Sequence, residues 1–110
     1  MESTELIVVL VTVPNDTVAT ELAAHLVDGR FAACVSILPG IRSVYRWEDR
    51  IEHADEIQLL IKTTRAHYPK LEAAITARHP YDTPEIVALP TAAALERYAR
   101  WVAEQVCPND

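Results

Sequence analysis

The sequence predicts an α+β fold of the ferredoxin-like kind: a β-α-β-β-α-β sandwich with an extended hairpin between its second and third strands and an extra C-terminal helix. Three observations carry this. Apolar spacing alternates between the period of a strand and that of a helix in that order along the chain. Right-handed crossovers make the split βαβ sandwich the simplest way to close the order. The chain has 110 residues, 50% hydrophobic and 24% charged, enough for one core and too few for two, so residues 1–110 read as a single domain.

The first strand is Leu6-Ile7-Val8-Val9-Leu10-Val11, a continuous run ending at Pro14 that reads as a central strand buried on both faces. Asn15 or Asp16 caps the first helix, where Val18, Leu22 and Leu26 recur at helical spacing before Gly29. From Ala32 the period becomes two. Cys34, Ser36 and Leu38 take one face and Val35 and Ile37 the other, with Pro39-Gly40 bending the strand. Ile41, Ser43, Tyr45 and Trp47 continue the alternation, the chain turns at Glu48-Asp49-Arg50, and Ile51 to Ile61 returns.

Pro69 lies near the start of the second helix, which carries Leu71, Ala74 and Ile75 and stops before His79-Pro80, because a residue preceding proline is pushed out of the α region. Glu85-Ile86-Val87-Ala88-Leu89, between Pro84 and Pro90, reads as a short edge strand. Thr91 is expected to cap the last helix, with Leu95, Tyr98, Val102 and Val106 on its buried stripe and Pro108 ending it.

The hairpin arms are about twice the usual strand length of roughly 5–6 residues, and an isolated two-stranded ribbon is only marginally stable in water. A tip carrying Val44, Tyr45 and Trp47 therefore needs a cover, and a symmetric homo-oligomer provides one.

The net charge of −6 argues against a chain built to neutralise nucleic-acid phosphates or to lie on an anionic membrane. Cys34 and Cys107 are too far apart in sequence to read as a zinc pair or a disulfide framework, so reduced thiols in the cytoplasm are expected. Glu2 and Glu5 precede the apolar run where a signal peptide has basic residues, so export is not expected.

Five blocks carry a resemblance: Val11-Thr12-Val13-Pro14-Asn15, Ala32-Ala33-Cys34-Val35, Tyr45-Arg46-Trp47-Glu48, Ile61-Lys62-Thr63 and His79-Pro80-Tyr81-Asp82-Thr83-Pro84-Glu85-Ile86. In this order and at these separations the chain resembles the CutA divalent-cation tolerance family over almost its whole length. The resemblance implies the ferredoxin-like fold, a homotrimer, and a role in tolerance of copper and other divalent ions. In the hairpin turn relatives often place Gly where Asp49 stands, so Asp49 is expected to bear a positive φ. Val11 and Arg78 stand where some relatives carry an additional thiol or histidine, leaving fewer metal donors here.

Imidazole and carboxylate suit borderline divalent ions such as Cu(II), so His79 and Glu85 are the first candidate ligands and the Cys34 thiol the third. The competing reading is structural: His79-Pro80 ends the helix, Tyr81 packs with its hydroxyl satisfied, Glu85 pairs with Lys62, and Cys34 is a small core residue. Tyr45, Trp47, Lys62 and Tyr81 form a second set, either walls of an intersubunit cleft or interface anchors. Cys107 reads as accessible but incidental, and His25, His53 and His67 as solvated.

The leading function is thus a non-catalytic trimeric protein of divalent-metal tolerance, with a Cu(II)-type divalent cation as ligand and none needed for folding. The alternatives are an intersubunit small-molecule sensor resembling the trimeric nitrogen-regulatory proteins, binding an organic anion through Lys62, and a structural trimer without a ligand. An enzyme ranks last, since no nucleophile with an adjacent base and no Gly-rich phosphate loop is recognisable.

Overall fold

The computed structural model describes residues 5–106; Cys107 and Pro108 lie outside them. Strand β1 (Leu6–Val13) is central, as its apolar run predicts, and pairs antiparallel with β3 (Arg50–Thr64) on one side and β4 (Ile86–Pro90) on the other. Strand β2 (Cys34–Trp47) lies outside β3, giving the order β2-β3-β1-β4 of the split sandwich.

Helix α1 (Asp16–Asp28) starts at Asn15, whose Oδ1 accepts the Val18 N–H at 2.9 Å. Its end differs from the usual left-handed glycine. Gly29 stays at φ −82° and Arg30 takes the positive φ of 62°. Glycine is needed at 29 for space, since a Cβ there would stand 2.5 Å from the Phe31 ring. Helix α2 (Tyr68–Arg78) follows a 3₁₀ turn at Arg65–His67 and stops at His79, which is extended (ψ 137°) as its proline neighbour requires.

Alternate residues of the sheet, Val9, Val11 and Val13 with Leu59 and Ile61, meet Ala19, Leu22 and Leu26 of α1 and Leu71 and Ile75 of α2 in one core. Among the described residues the opposite face is covered only at one end. There α3 (Glu96–Gln105) with Val106 packs Val102 and Val106 on Leu6 and Ala33, flanked by Tyr98 and Ala99. Burial of β1 on both faces is therefore only half realised within one chain: Val8 and Leu10 are half-buried, and Val87, Leu89 and Leu38 are exposed.

The entry to α3 also departs from expectation. Thr91 does not cap it; its hydroxyl donates to Leu6 O at 2.7 Å, tying the end of β4 to β1. The chain then crosses from the sheet edge before the helix starts at Glu96, which leaves Leu95 65% exposed instead of on the buried stripe.

The β2-β3 hairpin outruns the sheet. Strand β1 pairs with β3 only from Ile57 to Thr64, so the pairs from Ile41↔Glu56 to Trp47↔Arg50 form a bare ribbon, roughly 20 Å long at strand rise. The molecule measures 45 × 27 × 23 Å, its long axis reflecting this projection. A register shift between Leu38 and Ile41 bends the strand where Pro39-Gly40 predicts it, with Gly40 at φ 81°. At the tip both Glu48 (φ 51°) and Asp49 (φ 65°) are left-handed, a two-residue turn that matches strand twist; only Asp49 was expected to be so.

Candidate functional site

The segment after α2 is pinned at the base of the ribbon. The His79 backbone N–H donates to Ile75 O at 2.8 Å, closing the helix. The His79 side chain is buried, with Nε2 2.7 Å from Thr12 O and Nδ1 accepting the Tyr81 N–H at 3.1 Å. A backbone N–H can only donate, so Nδ1 carries no proton and Nε2 donates to Thr12: the ring is a neutral imidazole with both nitrogens engaged. The imidazole that the sequence offers to a metal is thereby committed to the backbone.

Tyr81 stacks at a tilt on His79, ring centroids 4.8 Å apart, and its hydroxyl donates to Glu56 Oε2 at 2.7 Å. Glu56 is itself buried at the root of the ribbon, beside the register shift. Burial, then the Glu56 carboxylate, then nearby Tyr45 push the Tyr81 phenol up to about 12. Beside this latch Pro14, Pro39, Gly40, Arg42, Asp55, Glu56 and Ile57 line a wide-mouthed cleft of about 420 Å³.

The remaining nominated residues are dispersed. Glu85 is exposed just ahead of β4, and it does not pair with Lys62, whose ammonium donates instead to Ser36 Oγ and Leu60 O. Cys34 is half-buried on the outer face of the sheet, outside the main core, and near Tyr98, where burial followed by this thiol pushes the Tyr98 phenol up. Among the described residues no three of His, Cys, Asp and Glu are gathered to hold an ion, so His79, Glu85 and Cys34 do not form one donor set within a protomer.

Of the second set, Tyr45 approaches Tyr81 while Trp47 stands at the ribbon tip, 59% exposed. Lys62 lies six residues along β3 from Glu56, roughly 20 Å at strand rise. His67, expected to be solvated, is half-buried with its Nδ1 2.8 Å from Thr64 Oγ1.

Sequence reasoning missed Glu56. It occupies the polar phase of the alternation Ile57, Leu59, Ile61, which reads as a solvated face until Tyr81 is folded over it. No helix among the described residues is long and apolar enough to cross a membrane.

The described residues make a ferredoxin-like sandwich with an apolar outer sheet face and a projecting ribbon. The chain belongs to the CutA1 divalent ion tolerance protein family, whose model matches residues 7–105. It is 48% identical over 97 residues to the divalent-cation tolerance protein CutA of Thermus thermophilus, spanning 88% of this chain and 94% of that one. A solved structure of the Thermus thermophilus protein superposes with a TM-score of 0.89 at 47% identity, covering 91% and 97% of the two chains. That of CutA1 from Oryza sativa gives 0.91 at 39%, covering 94% of each.

Proposed function

We propose that the protein works as a non-catalytic homotrimer in the cytoplasm, where it takes part in tolerance of divalent metal ions, copper among them. The observation that carries this reading is the combination of a half-finished sheet face and a bare ribbon in a chain of the divalent ion tolerance family. Neither feature is stable against water by itself, and copies of the chain supply what each lacks.

A single protomer gathers no set of three donors among its described residues, so a multidentate divalent site is completed between copies. Glu85, exposed beside β4, is the leading ligand of the nominated residues, with Cys34 as a soft donor; His79 joins only on release from Thr12 and Tyr81.

Calorimetric titration of the metal-free protein with Zn(II) and Cu(II), repeated on Glu85→Ala, Cys34→Ala and His79→Ala, tests the assignment. Affinity lowered by roughly tenfold or more in Glu85→Ala supports it, in the range expected on losing part of a metal site. Unchanged affinity in all three variants discards these ligands, and because Cu(II) binds imidazole and carboxylate broadly, Zn(II) is the more telling arm.

A further inference from the structure

The outer face of the sheet carries a lysine with no carboxylate of the described residues in ion-pair reach. The register places Lys62 in a row with Cys34, Val8 and Leu89, next to a row of Ser36, Leu60, Leu10 and Val87. Its Nζ donates to Ser36 Oγ at 2.8 Å and to Leu60 O at 3.1 Å, two neutral acceptors, and no ion pair reaches it among the described residues. An ammonium has three protons, so one remains without an acceptor; the Ser36 hydroxyl, accepting from Lys62, still has its own proton to give. Two adjacent donors and a full positive charge thus stand in an otherwise largely apolar surface.

In a lone chain water satisfies both donors. When another copy covers the face, that water is lost, and an ammonium without a counter-charge is strongly disfavoured in an apolar surrounding. A group with negative charge and at least two oxygens meets the need, because one oxygen can accept from Lys62 and another from Ser36.

We propose that Lys62 and Ser36 form a binding site for a small oxyanion, a carboxylate or phosphate group, enclosed when the sheet faces of different copies meet. This rests on the assembly reading of the preceding subsection. The anion neutralises the one lysine on the apolar face and so links assembly to the presence of a small anionic solute.

The test titrates the metal-free wild-type protein at constant ionic strength with inorganic phosphate in one arm and malonate in the other, read by calorimetry, with sedimentation velocity on the same samples. Expected is saturable binding of at least one of the two at no more than one anion per chain, weakened roughly tenfold or more in Lys62→Gln and several-fold in Ser36→Ala, and retained in Lys62→Arg. Phosphate binding alone identifies a phosphate-bearing ligand and malonate binding alone a carboxylate. A wild-type trimer that binds neither, or a Lys62→Gln trimer that binds as well as wild type, overturns the anion site and leaves the assembly reading standing. A monomeric wild type overturns both. Should Lys62→Gln fail to fold, the wild-type titration and Ser36→Ala decide.

Discussion

The two faces of the sheet are built from the same strands and end in opposite conditions. On the helix side Val9, Val11, Leu59 and Ile61 are fully buried under α1 and α2. On the other, Val8, Leu10 and Leu60 are half-buried, Val87 and Leu89 are 45% and 42% exposed, and α3 covers one end. A strand places successive side chains on alternate faces, so one apolar sequence serves both. The first face is a core completed by its own chain, and the second, on the proposed reading, is completed by another copy. The same contrast runs along the hairpin, paired to β1 from Ile57 onward and bare before it.

The largest expected effect lies on the unfinished face. Val87→Glu places a charge on the face proposed to join copies, where an uncompensated buried charge would cost about 3–5 kcal/mol. The variant should lose the trimer in sedimentation velocity and unfold at lower urea than wild type; retained trimers would mean that this face is not where copies meet. On the finished face, Ile61→Ala removes buried volume from the helix-covered core and should cost about 2–5 kcal/mol in urea denaturation. A loss there no greater than for an exposed position would erase the distinction between the faces.

The latch at the ribbon root gives a smaller and pH-dependent effect. The Tyr81 phenol is raised from 10 to about 12 in the folded chain. The unfolded chain therefore gives up this proton first as pH rises, and the stability Tyr81 contributes is complete below pH 10 and lost through pH 12. Tyr81→Phe should lower stability at pH 7 by about 1–3 kcal/mol, because Glu56 loses its partner, and should remove this alkaline component. An unchanged alkaline profile would show that Tyr81 is not its source. The smallest effect is a gain: Asp49→Gly, at φ 65°, should raise the urea midpoint by the equivalent of about 0.5–1 kcal/mol.

Most of the fold was legible because its markers are local. Asn15 capping α1, His79-Pro80 ending α2, Pro39-Gly40 bending β2 and the apolar run of β1 each act within a few residues. The expectations at the last helix failed for the opposite reason. Thr91 answers to Leu6, far away in sequence, a contact that no local pattern announces, and Leu95 lies before the helix starts at Glu96 and stays exposed.

The candidate site was less legible still. His79, Tyr81 and Glu85 stand out by residue type, but type does not reveal that both His79 nitrogens face the backbone or that Tyr81 closes over Glu56. Lys62 was legible as a cation; its lack of a carboxylate partner appears only once β2 and β3 are in register, with Ser36 at its side. Alternation marks which residues share a face, and the partners across strands decide what that face can do.

Sedimentation equilibrium of the metal-free protein at micromolar concentration tests most directly whether the open face is an interface between copies. A mass three times that of the 12.3 kDa chain is the predicted result. A well-folded species at the mass of one chain, stable on dilution, would contradict it.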